Sequence, residues 1–269
     1  MKVSEQEKAK TRIKILEASV DLIIEKGFKS ASMREISRKA GVGDATIYNY
    51  FPSKEKLLYG YCEYIQQQVM ENLKAIDNFH EYSLQEQLQQ LVEMELQTWL
   101  PAREFLQEVF NLTYYSPVSG ASHLTETRRL FTQMVTDMIE SAIEVGEIPD
   151  QPYQELLPRL FWDYQSGVLA YWLKDDSEEF ANTTTLVDKT IDIIANILHN
   201  GLVGKSLDLI SFLFRTHVLT HFDSFISASS FSADASDSAT KAVKRSFMDN
   251  TESSDSTKKK KAKKGGASK

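Results

Sequence analysis

The chain of 269 residues has one cysteine, Cys62, only six prolines, and no long apolar run that lacks a charge. A single thiol cannot form an internal disulfide, and no basic segment followed by an apolar one opens the chain, so we predict neither disulfides nor secretion. The missing apolar run argues against a membrane span. We therefore expect a cytoplasmic protein, in which 42% hydrophobic residues supply the core of a small and a larger domain.

Charge is unevenly distributed along the sequence. Residues 1–56 carry 12 Lys or Arg against 8 Asp or Glu, and residues 241–269 carry 10 against 3. The overall charge is −7, so these ends are +4 and +7 while the middle is −18. An acidic body repels phosphate, so we expect the basic ends to approach nucleic acid. Solubility alone is the alternative explanation of this asymmetry.

Two short helix patterns flank a glycine turn near the N-terminus. A Ser-x-x-Glu capping box at residues 32–35 predicts a helix start, and the glycines in residues 41–43 allow the chain to reverse. Asp44 is predicted to cap a short helix over residues 45–50, and Ser53 to cap the next one. This is the pattern of a helix-turn-helix DNA reader.

The same segment resembles the DNA-binding domain of the tetracycline-repressor (TetR) family of bacterial regulators. The resemblance runs from about Thr11 to Leu58. It rests on an upstream apolar helix pattern, the Gly-Phe pair at residues 27–28, the capping box, the glycine turn, and the run from Thr46 to Lys54. The remaining chain carries no comparable signature.

The resemblance implies which side chains meet DNA. Two of these side chains lie at the start of the first short helix and touch the DNA backbone. Three others face outward from the recognition helix, and the last two hold phosphates. Asn49 is the candidate base reader, because its amide can pair bidentately with adenine. Packing of Tyr48 and Tyr50 inside the domain is the alternative. The predicted DNA-contacting residues are Ser32, Arg34, Thr46, Tyr48, Asn49, Tyr50 and Lys54.

Beyond the glycine turn, almost every segment repeats at the helical period and none alternates at period two. The predicted fold class is therefore all-α, with a three-helix helix-turn-helix DNA-binding domain at residues 1–56. A larger helical effector-binding and dimerisation domain is predicted at residues 57–227. Residues 228–269, Ser-rich and then Lys-rich, are predicted to be a disordered tail. A helix over residues 153–173 is predicted to bend at Pro158.

Two late helices are predicted to form a homodimer interface. One helix-turn-helix domain contacts few base pairs, so two subunits are expected to pair about a two-fold axis. In the family, this helix pair forms a four-helix bundle with its symmetry mate. Small Gly167 and Ala170 allow close approach. Burial of the same stripe within one subunit is the alternative. The predicted interface residues are Leu160, Gly167, Ala170, Tyr171, Leu186, Thr190, Ile193 and Ile197.

Aromatic residues crowd the segment between the head and these helices. Such a lining suits an apolar ligand cavity. The resemblance implies a small-molecule effector there, which moves the fourth helix and changes the distance between two heads. A solid core is the alternative. The predicted cavity residues are Trp99, Phe105, Phe110, Tyr114, Phe131 and Trp162.

These features predict a ligand-responsive, sequence-specific transcriptional regulator. We expect a repressor that binds a palindromic double-stranded DNA operator as a homodimer and is released by a small-molecule effector. The alternative is a helical adaptor that keeps the fold and binds nucleic acid only nonspecifically, through the lysine run at residues 258–264.

Catalysis, cofactors and metals are not expected. The histidines and carboxylates form no recognisable nucleophile and base arrangement, so the sequence predicts no enzyme and no cofactor. His217 and His221 stand four residues apart on a predicted helix with Asp223 nearby, but they lack a clear third ligand, so no metal is expected.

Overall fold

The structure is a computed structural model that describes residues 4–114 and 124–213. In these ranges it contains ten α-helices and no strand, which confirms the all-α fold class. The predicted tail, its lysine run, His217 and His221 lie outside the described residues. The helices are α1 (Glu5–Lys26), α2 (Met33–Lys39), α3 (Asp44–Tyr50), α4 (Lys54–Lys74), α5 (Leu84–Trp99), α6 (Arg103–Tyr114), α7 (Thr125–Glu144), α8 (Leu157–Trp172), α9 (Ala181–His199) and α10 (Val203–Leu213).

Serine side chains begin four of these helices. Ser4, Ser32 and Ser83 each form a capping box with the glutamate three residues later, and Ser53 accepts a hydrogen bond from the Lys56 N–H. Such caps satisfy N–H groups that have no partner within the helix. The caps predicted at Ser32 and Ser53 are confirmed.

The head packs α1, α2 and α3 against the first turns of α4. Gly41 lies between α2 and α3 at φ +68°, a left-handed conformation that glycine adopts without strain. The predicted reversal at the glycine turn is thus confirmed. The largest fully buried side chains of the head are Ile15, Leu16, Ile23, Ile36, Ile47, Leu57 and Leu58.

Helix α4 joins the head to the body. Gly60 permits a close approach here, because a Cβ atom at this position would lie 2.8 Å from Cε1 of Phe51. The Phe51 ring, which directly follows α3, therefore rests against the backbone of α4. The guanidinium of Arg12 lies 5.2 Å from the centre of the same ring and pairs with Glu63 of α4 at 3.4 Å. The position of the reading head is thus tied to the position of α4.

The body surrounds the far half of α4 with helices. Helix α5 packs against α4, α7 and α9, and α7 packs against α4 and α8. The chain up to Gly204 forms one compact unit, and residues from Lys205 belong to a second one. The predicted domain boundaries after residues 56 and 227 stay predictions. Among the described helices, none is long and apolar enough to cross a membrane.

Helix α8 begins later than predicted. The expected helix from Tyr153 with a bend at Pro158 is wrong, because Pro158 lies in the first turn of a helix that starts at Leu157. Proline needs no N–H partner there and its φ suits a helix start. The preceding residues Gln154–Leu156 form a short 3-10 turn, and Tyr153 before them has a positive φ of 62°.

Candidate nucleic-acid interface and ligand cavity

Helix α3 has one anchored face and one exposed face. Ile47 is fully buried, and Phe51 just beyond the helix is 3% exposed. On the other side Tyr48 is 53% exposed and Asn49 is exposed, while Thr46 and Tyr50 are half-buried. Seven residues form too short a helix to be stable alone, so the buried contacts must hold it. The outward side chains of Tyr48 and Asn49 are therefore available to a partner.

The start of α3 differs from the prediction. Gly43 is the cap residue, without a side-chain hydrogen bond, and Asp44 is the first residue of the helix. The Asp44 carboxylate accepts a hydrogen bond from the Ser37 hydroxyl at 2.6 Å and pairs with Nε of Arg34 at 3.2 Å. The predicted capping role of Asp44 is wrong. Its carboxylate instead ties α2 to α3 and partly neutralises Arg34, one of the predicted backbone contacts.

The capping box of α2 is reinforced by a lysine. Glu35 accepts hydrogen bonds from the backbone N–H and the hydroxyl of Ser32 and pairs with Lys26 of α1 at 2.8 Å. The Lys26 ammonium, together with these Ser32 bonds, lowers the pKa of Glu35 to about 2. Ser32 is exposed at the helix start, but its hydroxyl already serves the cap.

Lys54 is engaged inside the head. Its ammonium donates hydrogen bonds to the carbonyls of Phe28, Lys29 at 3.2 Å and Ala31 at 2.7 Å, and it lies 4.6 Å from the centre of the Phe28 ring. An ammonium has three donors, so these carbonyls occupy all of them. The structure thus gives Lys54 an internal role, and the phosphate contact that the resemblance implied stays a prediction.

We expect Lys54→Ala to lower the free energy of unfolding by about 1 to 3 kcal/mol, because hydrogen bonds from a charged donor are lost and the loop carbonyls lose their partner. Urea denaturation followed by circular dichroism measures this. Lys56→Ala is the matched control, since Lys56 is an exposed lysine in the same turn of α4. Equal and small losses in both variants would contradict the internal role.

A small cavity lies in the body between α4, α5, α6, α7 and α8. Of the predicted aromatic lining, Trp99, Phe110, Tyr114, Phe131 and Trp162 border it. Phe105 does not border this cavity, and the effector pocket itself stays a prediction. Phe105 is fully buried in the adjacent core, with its ring 5.1 Å from that of Tyr61. The unfilled space is about 40 Å³, so a sizeable ligand must displace side chains.

Sequence reasoning missed the polar side chains of this cavity. Glu95 is 2% exposed and accepts a hydrogen bond from Nε2 of Gln66 on α4 at 2.8 Å. Burial raises the pKa of Glu95 to about 7, although hydrogen bonds from Gln66 and Trp99 oppose the shift. Thr127 and Gln165 also line the cavity and are buried. A polar residue inside an apolar helical stripe was the signal available, but periodicity does not say what lies opposite.

The predicted interface helices present an uncovered stripe. Tyr171 is 45% exposed and Ile193 is 56% exposed. Gly167 has no atom within 4 Å of where a Cβ would stand. Thr190 is engaged inside the chain, because its hydroxyl lies 2.7 Å from that of Tyr164 on α8. Half-buried or exposed positions in this chain are Leu160, Gly167, Ala170, Tyr171, Leu186, Thr190, Ile193 and Ile197.

A three-helix head with an exposed recognition helix, joined to a larger helical body, defines a helix-turn-helix transcriptional regulator. The chain belongs to the TetR family. The family model described as "Bacterial regulatory proteins, tetR family" matches residues 15–59, and the one described as "Tetracyclin repressor-like, C-terminal domain" matches residues 87–213. The resemblance inferred from the sequence is confirmed, and so is the expectation of a regulator instead of an enzyme.

Curated relatives are similar over most of their length. The HTH-type transcriptional regulator UidR of Escherichia coli K12 is 25% identical over 70% of this chain and 93% of its own. The fatty acid metabolism regulator protein of Bacillus subtilis is 21% identical over 70% of this chain and 95% of its own. Both relatives are named as regulators.

Solved structures share the fold at low identity. Salmonella enterica GusR has a TM-score of 0.56 and 22% identity, over 74% of this chain and 100% of that one. FadR from Bacillus subtilis, solved in complex with stearoyl-CoA, has a TM-score of 0.54 and 19% identity, over 70% and 98%. At such identities the likeness shows the fold alone.

Proposed function

We propose that this protein is a ligand-responsive repressor that binds a palindromic operator as a homodimer and is released by a small-molecule effector. We also propose a cytoplasmic location, where the DNA is found. The family membership supports DNA binding in general. The operator, the dimer and the release step are the proposal, and each rests on a feature of the described residues.

The exposed face of α3 carries the proposal. Tyr48 and Asn49 project from a helix whose opposite side is anchored by Ile47 and Phe51. A helix of this kind enters the major groove and reads base edges with its outward side chains. Arg34 lies next to it, with 70% of its side chain exposed, and is available to a phosphate. This arrangement supports base reading by Asn49 and backbone contact by Arg34.

The uncovered stripe on α8 and α9 supports the homodimer. Large apolar side chains such as Leu160, Tyr171 and Ile193 are unfavourable in water unless a partner covers them. A second copy would cover them with the same stripe, as two-fold symmetry requires. Two heads then engage two half-sites of one operator, so the operator is palindromic.

The contact of α4 with the cavity supports control by an effector. Gln66 of α4 donates to Glu95 of α5 at the cavity wall, and Gly60 of the same helix receives Phe51 of the head. A ligand that changes the position of α4 therefore changes the position of the head. The ligand is proposed to bind more tightly to the arrangement in which the distance between the two heads does not fit the operator. DNA affinity then falls by the ratio of the ligand's affinities for the two arrangements.

We expect Asn49→Ala to weaken binding to the operator by roughly 5- to 150-fold and to leave binding to random duplex nearly unchanged, because a lost bidentate base contact is worth about 1 to 3 kcal/mol. Fluorescence anisotropy with both duplexes, across a salt series, measures this. The operator is first located by footprinting upstream of the protein's own gene.

Asn72→Ala is the control variant, because Asn72 is an exposed asparagine on α4. It should bind both duplexes like the unaltered protein. Equal losses on operator and random DNA for Asn49→Ala would remove its reading role. Equal affinity of the unaltered protein for operator and random DNA would favour the helical adaptor instead.

A further inference from the structure

We propose that the cavity around Glu95 binds an apolar primary amine, whose ammonium group is held by the Glu95 carboxylate. This inference deepens the proposed function, because it takes this cavity to be the effector site. It commits to the charge and the polar group of the ligand, which the fold does not specify.

The environment of Glu95 favours a positively charged partner. Its side chain is 2% exposed, and among the described residues that line the cavity there is no lysine, arginine or histidine. Its carboxylate receives neutral donors from Gln66 and Trp99. A buried charge without an opposite charge is costly, and an ammonium removes this cost while an anionic ligand adds to it.

Two further buried side chains at the cavity have polar atoms without a hydrogen-bond partner in the described structure. Gln165 is 2% exposed, and neither its Nε2 nor its Oε1 has a hydrogen-bond partner within the described structure. The Thr127 hydroxyl is likewise unpartnered. Gln165 of α8 and Thr127 of α7 line the same cavity as Glu95 of α5. A primary ammonium has three donors, which match the carboxylate, the amide oxygen and the hydroxyl oxygen.

The remaining walls suit the apolar part of such a molecule. Trp99, Phe110, Phe131 and Trp162 border the cavity, and the rings of Phe131 and Trp162 meet edge to face at 5.4 Å. Aromatic faces also attract an ammonium group. The unfilled 40 Å³ accommodates a group of about the size of one water molecule, and therefore the polar end of an amine.

Side chains at the rim must move for the body of the ligand to enter. Tyr114 of α6 is 49% exposed, and its hydroxyl donates to that of Ser166 on α8 across a long 3.4 Å. This long hydrogen bond links the Tyr114 ring to α8. Tyr114 is the exposed member of the aromatic lining, so we expect its rotation toward solvent to admit the ligand.

An ammonium at Glu95 also reaches the helix that carries the head. The Glu95 carboxylate accepts from Gln66 of α4, so a new donor competes for its oxygens. Binding of the amine thereby weakens a link between α5 and α4. This supplies the differential contact that coupling between ligand and DNA requires.

The experiment measures how tightly the full chain binds each of four probes of similar shape: phenylpropylamine, phenylpropanol, phenylpropionamide and phenylpropionate. Quenching of tryptophan fluorescence reports binding, because Trp99 and Trp162 border the cavity. At pH 8 we expect the amine to bind at least about tenfold more tightly than the alcohol and the amide, and the carboxylate not to bind.

The variant Glu95→Gln should abolish this preference for the amine, since it keeps the shape and the Gln66 bond but removes the charge. Glu93→Gln is the matched control on the same helix, outside the described cavity lining, and should keep the preference. Circular dichroism checks folding. Gln165→Leu is the second variant and should weaken binding of the amine several-fold more than binding of the alcohol.

Three results would overturn the inference: no preference for the amine, equal or tighter binding of the amide or the carboxylate, or an unchanged preference in Glu95→Gln. Operator binding is measured separately on the same samples. Operator binding without amine preference defeats this inference and leaves the proposed function in place. Amine binding that leaves operator affinity unchanged supports the site and defeats its role as the effector site.

Discussion

Gly167→Arg should convert the proposed dimer into a monomer and lower operator affinity by about 100-fold or more, because the avidity of two linked heads is lost. The position makes the test selective. A Cβ added to Gly167 meets no atom within 4 Å in the single chain, and alanine-like residues suit a helix better than glycine. The isolated subunit therefore tolerates the arginine, and only a closely packed second copy is disturbed by its bulk and charge.

Size-exclusion chromatography with light scattering measures the mass, and anisotropy measures operator binding. Asn72→Arg is the matched control, with the same new side chain at an exposed position of α4. Ile193→Asp should behave like Gly167→Arg, since it places a carboxylate in the same apolar stripe. If both stripe variants remain dimers, the subunits meet elsewhere. If they become monomers with full operator affinity, operator binding needs no dimer.

Glu95→Gln should make the protein more stable above pH 7, with a difference that shrinks as the pH falls toward 5. Burial raises the pKa of Glu95 from 4.5 to about 7, so between these values the folded protein holds a proton that the unfolded chain releases. Stability therefore falls as pH rises through this window and stays low above it. The shift corresponds to a difference of roughly 3 kcal/mol at most.

Urea denaturation at pH 5, 6, 7 and 8 measures the difference in the free energy of unfolding between the variant and the unaltered protein. These pH values lie on both sides of the Glu95 pKa of about 7. Subtraction removes the contribution of other titrating groups. Burial also raises the pKa of Cys62, which lines the cavity from α4, so its thiol stays protonated throughout. Glu93→Gln, at a half-buried position of the same helix, is the matched control. A flat difference for Glu95→Gln would mean that its carboxyl is hydrated in solution.

Local signals in the sequence were sufficient for the head. The Ser32 capping box, the glycine at position 41 and the alternation of Ile47 with exposed Tyr48 and Asn49 all depend on residues within one helical turn of each other. Interactions at this range are encoded directly in spacing. The start of α2, the reversal and the outward face of α3 were therefore predictable.

Contacts between distant residues decide what three of the predicted residues touch in this chain. Lys54 is held by carbonyls more than twenty residues away, and Asp44 by Ser37 and Arg34 of the preceding helix. Phe105 faces Tyr61 instead of the cavity. Helical periodicity gives the buried face of a helix but not the neighbour that buries it.

The sequence by itself determined the helices, the reading head and the family, because caps, glycines and apolar spacing act over a few residues. Only the tertiary structure brought Gln66, Glu95, Thr127 and Gln165 from four helices to one cavity and left the stripe of α8 and α9 uncovered. The physical reason is range. Burial and charge environment arise from residues far apart in the chain, and no local pattern records which of them meet.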